Sequence, residues 1–282
     1  MAIIRVSGGD IGYDEAGDGP PVLLVHAGLT DRRMWEHQFW SLADTYRVIR
    51  YDWRGRGESD DVDQGEVAHH EDLLALMDEL DIDQAAVIGC SMGGAYALNA
   101  ALSAPDRVRG LGLICSGLTG YEWPPETVRQ FQQAVDPALA SRCQHYADRS
   151  AKWVDPADIA AMAEANVGLM VAGPDRDRIE LDPLVWQQAL RMCRGVFARD
   201  WSGPIFRERM LEPGPLGRLH EISVPTLVVN GLHDIAGVQE IADLLAQEID
   251  GARRLDLRTG HLPPMEQPEN VTAALHQFLK SL

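Results

Sequence analysis

The stretch AAVIGCSMGGAYALNAAL, residues 85–102, joins an apolar run to an alanine-rich helical pattern through one serine set between glycines. A turn from strand to helix that tight admits only small residues at its corner. Gly89 and Gly93 let the backbone pass its neighbours, and Ser91 is pushed into an exposed, strained position. The helix that starts there aims its first amides at the same spot, so the N–H of Met92 faces any negative charge developing beside Ser91. Ser91 can be a nucleophile, part of a phosphate-cradling loop, or a serine in a tight turn. The phosphate reading fails, because no lysine follows Gly94 and no G-x-G-x-x-G follows the first strand-like run.

The surrounding pattern narrows the fold. AIIRV, DIGYDEA, PVLLVHAG and YRVIRYD read as strands; HHEDLLALMDEL carries a helical apolar stripe; AAVIG and RGLGLIC are strands again. Short two-sided apolar runs alternating with helices predict a mainly parallel sheet covered on both faces. The alternation stops near residue 117 and resumes with VPTLVVNG, GVQEIADLLAQEI, ARRLDLR and NVTAALHQFLKSL. Residues 1–116 and 217–282 are therefore expected to build one core, and 117–216 a helical insertion. Asp136-Pro137, Asp155-Pro156 and Asp182-Pro183 mark helix starts there, aspartate as cap and proline at the first position, where no donor is needed. Four of the seven tryptophans fall in the insertion, and Trp123, Trp153 and Trp186 are candidates to line a pocket beneath it.

Composition removes several partners. The chain has 282 residues, with 43 acids against 25 bases and a net charge of −18. Such a field repels nucleic acid and anionic lipid. No run approaches the length of a membrane span, and the first twenty residues lack a basic segment followed by a long apolar one, so neither membrane anchoring nor a signal peptide is expected. Cys90, Cys115, Cys143 and Cys193 are scattered without a C-x-x-C pair, which fits free thiols in a reducing cytoplasm better than disulfides or a zinc site. Neither metal nor organic cofactor is expected.

A serine hydroxyl needs a base. Of the nine histidines, His69 and His70 open a helix, and His276 and His37 sit within helical patterns. His261 stands in RTGHLPPMEQPE, just past the last strand, in a loop opened by Gly260 and held by Pro263 and Pro264. It shares with Ser91 the carboxyl edge of the sheet, where α/β proteins place their ligands. Asp234, in VPTLVVNGLHD, follows the penultimate strand at the same edge and could hold the imidazole. A second oxyanion donor is expected from the loop His26-Ala27-Gly28, with Gly28 supplying the amide. His26 could in principle be the base, but His261 fits that position. His26 braces the loop and is a further candidate pocket residue.

VLLVHAG, MWEHQ, YRVIRYDWRGRGESD, GCSMGG, VPTLVVNGLHD and GHLPPMEQPE occur in the order found in the α/β-hydrolase superfamily, and the chain resembles it over nearly its whole length. The resemblance implies an eight-stranded, mostly parallel sheet with helices on both faces and a helical cap inserted after the sixth strand. It implies Ser91 as nucleophile, Asp234 as acid, His261 as base, and Gly28 and Met92 as oxyanion amides. Asp52–Ser59 resembles a structural turn of the family and receives no chemistry. Two departures stand out: Ala27 replaces a frequent glycine, and Cys115-Ser116 occupies the place where some subfamilies carry their acid. A serine nucleophile argues against dehalogenase and epoxide-hydrolase chemistry.

The activity expected is hydrolysis of a small-molecule carboxylic ester or lactone without cofactor. The sequence resembles 3-oxoadipate enol-lactonases in particular; carbon–carbon bond hydrolysis and non-catalytic ligand binding stay open. The oligomeric state is not encoded in any of these motifs.

Overall fold

Apolar runs with alternate faces buried become strands here, and the order in which they pair decides where every loop ends. The computed structural model describes residues 1–62 and 65–282. In chain order it contains β1 (Ala2–Val6), β2 (Gly9–Ala16), β3 (Pro21–Val25), α1 (Glu36–Ala43), β4 (Arg47–Tyr51), β5 (Glu66–Val67), α2 (His69–Glu79), β6 (Ala85–Cys90), α3 (Met92–Ser103) and β7 (Val108–Ile114). There follow α4 (Pro125–Ala134), α5 (Pro137–Ala147), α6 (Pro156–Asn166), α7 (Pro183–Ser202), β8 (Arg207–Glu208), β9 (Thr226–Gly231), α8 (Ala236–Glu248), β10 (Arg253–Leu257), α9 (Pro263–Glu266) and α10 (Pro268–Leu279).

Eight strands form one sheet in the order β1-β2-β4-β3-β6-β7-β9-β10. β2 pairs antiparallel with both its neighbours, and the other pairs are parallel. β6 is buried along its full length in the middle of the sheet. Buried apolar side chains form two large clusters, one per face, and α1 and α10 cover the first while α2, α3 and α8 cover the second. Each fully buried Leu, Ile or Val contributes about 1.5–3 kcal/mol, so these clusters hold the sheet rigid beneath its loops. This is the α/β-hydrolase architecture expected from the sequence.

Between β7 and β9 the chain is helical apart from β8, which pairs with β5 in a separate two-stranded ribbon. The three Asp-Pro pairs begin α5, α6 and α7, with each aspartate accepting from an amide of its first turn. A π-helical turn, Val167–Ala172, follows α6 directly, and the sequence pattern gave no sign of it. The apolar cluster that contains Cys90, Cys115 and Leu262 continues into Val167, Leu169, Met170 and Met192 of this region. One further difference concerns Pro263 and Pro264, which start the one-turn helix α9 instead of stiffening a loop. Proline suits a first turn because the missing N–H has no acceptor there. All four cysteines are buried and unpaired. Among the described residues no helix is long and apolar enough to cross a membrane.

Candidate active site

Ser91 has φ 56° and ψ −121°, a conformation that costs an L-residue about 1–3 kcal/mol and persists only where its surroundings enforce it. The enforcement is visible. Ser91 N donates to Ile114 O of β7, and Ser91 O accepts from Gly94 N, Ala95 N and Gly117 N. A Cβ at Gly93 would overlap the carbonyl oxygens of Val25 and His26, so this corner closes only around glycine. The Ser91 side chain does not cap α3 and stands partly exposed at the helix N-terminus.

Asp234 and His261 come from the loops after β9 and β10, adjacent parallel strands. His261 Nδ1 donates to Asp234 Oδ2 at 2.6 Å, since a carboxylate can only accept, and Ile235 N donates to Asp234 Oδ1 at 2.8 Å. Both side chains are buried. The imidazole therefore carries its proton on Nδ1 and presents Nε2 as an acceptor; that nitrogen is buried and has no hydrogen-bond partner. Ser91 and His261 are thus brought to the same edge without a hydrogen bond between them. The Cys90 thiol, next to Ser91 in the chain, donates to His261 O at 3.6 Å.

The loop after β3 is folded by its own polar groups. Ala27 O accepts from Thr30 N at 3.1 Å, Thr30 Oγ1 at 3.0 Å and His26 Nδ1 at 2.8 Å. Ala27 N points at Met34 Sδ, 3.2 Å away. Gly28 lies on Met92, whose Cγ is 3.0 Å from where a glycine Cβ would stand. Met92 is the first residue of α3, where amides lack an intrahelical acceptor. The Asp52–Ser59 turn anchors this loop: Asp52 takes Arg32 N at 2.7 Å and Glu58 N at 2.9 Å and pairs with the Arg32 guanidinium, while Arg54 grips Asp72 with two 2.7 Å bonds.

The candidate pocket residues are scattered. His26 is fully buried and stacked on Trp53 at 5.0 Å; burial pushes its pKa down. Trp123 lies against Gly237 of α8 with its ring about half exposed. Trp153 is 66% exposed between α5 and α6. Trp186 packs on the large apolar cluster, with Arg178 over its ring.

Cys115, Asp234 and His261 each offer one ligand atom within 4.8 Å of the others. Burial drives the Cys115 thiol well above its usual range, and the Asp234 charge adds to this. The trio is the hydrogen-bonded Asp234–His261 pair with the Cys115 thiol packed beside it. Reasoning on the sequence missed three contributors: Cys115, the Arg32–Asp52 brace, and Met170 O, which accepts from His261 N at 2.9 Å. Cys115 was visible only as standing where some subfamilies carry their acid, Asp52 only as part of DWRGRGES, and Met170 O had no signal.

Known proteins resemble the chain over different spans. The 3-oxoadipate enol-lactonase 1 of Acinetobacter baylyi is 26% identical over 272 residues, 94% of this chain and 90% of that protein. The dihydrolipoyllysine-residue acetyltransferase component of the Pseudomonas putida acetoin cleaving system is 34% identical over 185 residues, and the match spans about half of its length. Among solved structures, the Burkholderia xenovorans enol-lactonase superposes with a TM-score of 0.72 at 25% identity, covering 99% of this chain and all of that one. A thermophilic esterase from Thermogutta terrifontis does so with 0.75 at 25% identity, covering 100% and 99%. The family model of the alpha/beta hydrolase fold matches residues 20–268, so the chain belongs to the α/β-hydrolase family.

Proposed function

We propose that this chain is a serine hydrolase that cleaves a small carboxylic ester or lactone through an acyl-enzyme on Ser91. The observation that carries the reading is the 2.6 Å His261–Asp234 bond, which fixes the tautomer and leaves Nε2 without a partner at the sheet edge where the strained serine also stands. Rotation of the Ser91 hydroxyl toward Nε2 completes the relay; such bonds tighten in the substrate complex.

Ser91 Oγ attacks the carbonyl carbon while His261 Nε2 takes its proton, and Asp234 stabilises the imidazolium. The amides of Gly28 and Met92 receive the oxyanion, each such donor lowering the barrier by about 3 kcal/mol. The tetrahedral adduct then expels the alcohol oxygen, which takes the proton back from His261. Water, deprotonated by the same imidazole, releases the acid and restores Ser91. Residues 117–216 serve as a cap over this edge, with Trp186 as its best-placed wall because its ring joins the apolar cluster that reaches Leu262. His26 braces the oxyanion loop from behind.

The enol-lactonases and the esterase named above, alike over nearly the whole chain, support an ester or lactone substrate. Ser91→Ala is expected to lower p-nitrophenyl acetate turnover at least about 10³-fold. A fluorophosphonate probe is expected to label Ser91, and chelator to leave the rate unchanged. Parent-rate turnover in Ser91→Ala ends the proposal. Kinetics across short esters, acyl lactones and an enol-lactone then fix the substrate class.

A further inference from the structure

Gly260 and His261 lie against the π-helical turn Val167–Ala172, about ninety residues earlier in the chain. A Cβ at Gly260 would overlap Val171 O, so only glycine lets the two backbones approach this closely. The end of any helix leaves carbonyls without amide partners. Here Met170 O accepts from His261 N at 2.9 Å. Val171 O and Ala172 O accept from Arg176, through Nη2 at 3.2 Å and Nε at 2.6 Å.

The same guanidinium forks onto Glu266 of α9, Nη1 to Oε1 at 2.6 Å and Nη2 to Oε2 at 3.1 Å, with both side chains only 10% exposed. Glu266 Oε2 in turn accepts from Gly260 N at 2.9 Å. The contacts close a ring: π-helical turn, Arg176, Glu266, Gly260, His261, and back to the turn through Met170 O. Two successive amides of the histidine loop are therefore held from one place, one directly and one through the ion pair. π-Helical turns recur at functional sites, and this one touches the candidate base.

We propose that Arg176 and Glu266 are positioning residues, the ion pair clamping the 260–261 loop onto the π-helical turn so that the His261 imidazole meets Asp234 and Ser91 together. The proposal rests on His261 being the base. Neither side chain touches the reacting atoms; each acts through the backbone that carries the ring. Misplacing a catalytic group by about 1 Å can cost about 10²-fold in rate, which is the lever such a clamp controls.

The test measures kcat and KM for p-nitrophenyl acetate, thermal melting, and amide hydrogen exchange at residues 260 and 261, in Arg176→Ala, Arg176→Lys, Glu266→Gln and the Arg176→Ala/Glu266→Gln double variant. Lysine keeps the charge but not the fork. Glutamine keeps the shape but loses the charge and sets an amide nitrogen, a donor, where one carboxylate oxygen of the fork accepted from Arg176. The expected result is a kcat reduced about 10–100-fold in each single variant, KM within about twofold, faster exchange at both amides, and no further loss in the double variant because the pair acts as a unit. The inference is overturned by a folded Glu266→Gln protein with parent kcat, by a loss carried in KM, or by single losses that multiply in the double variant. Should Arg176→Ala fail to fold, Arg176→Lys and Glu266→Gln decide on the same criteria. His261→Ala runs alongside: parent turnover there removes the base assignment, whereas an inactive His261→Ala beside parent-like 176 and 266 variants removes only the clamp.

Discussion

At the scale of single residues, the site is governed by places where nothing larger than hydrogen fits. Gly93 faces two backbone carbonyls that cannot retreat without moving β3. Gly93→Ala is expected to destabilise the protein by about 3 kcal/mol or more, through overpacking against backbone, and to remove activity with it. Gly195 supplies the contrast, since it lies in the exposed interior of α7 with open space where a Cβ would go. Gly195→Ala is expected to raise stability by about 0.5–1 kcal/mol, by helix propensity and a less disordered unfolded chain. Urea unfolding of both variants checks the pair, and equal shifts in sign would contradict it. The strained corner at Ser91 was readable because glycine, serine and a preceding apolar strand are themselves the physical requirement. Cys115 was not, because a small residue at a strand end has no pattern that announces what will pack beside it.

At the scale of elements, boundaries were legible wherever a side chain does the capping. Asp182 opens α7 by accepting from Leu184 N at 2.7 Å. Asp182→Ala is expected to cost about 1 kcal/mol, read as a lower urea midpoint at unchanged slope. The π-helical turn was illegible for the opposite reason. Its register is set by what it leans against, the Gly260–His261 backbone, and by a guanidinium arriving from beyond its end. The β5–β8 ribbon escaped notice likewise, since two residues per strand carry no periodicity. The residues of the Asp52–Ser59 turn were visible, yet their service to the oxyanion loop required Arg32 to be seen folding back onto Asp52.

At the scale of the molecule, an acidic protein encloses histidines that resist protonation. Burial lowers the pKa of His26 and His70, and pushes that of His69 down to about 3. The unfolded chain takes up these protons near pH 6.5 while the folded chain does not, so this stability is complete above that pH and drains away as pH falls toward 3. Each such histidine contributes a slope of at most about 1.4 kcal/mol per pH unit. Asp72 and Glu208, with carboxyls raised by burial, act in the opposite sense at lower pH, so the slope is best taken between pH 7 and 5. His69→Phe is expected to flatten it by about one proton, and urea titrations at three pH values would expose an unaltered slope as a failure of this account.

β7 and β9 lie side by side in the sheet, although about 110 residues of chain run between them. During synthesis the Ser91 corner emerges from the ribosome long before the Asp234 carboxylate and the His261 imidazole proposed to act with it. Closing so wide a loop is a slow, entropically opposed event, and it is the event that delivers both missing groups. On the proposed mechanism an unfinished or clipped molecule is chemically silent, and reactivity arrives only with the final strands.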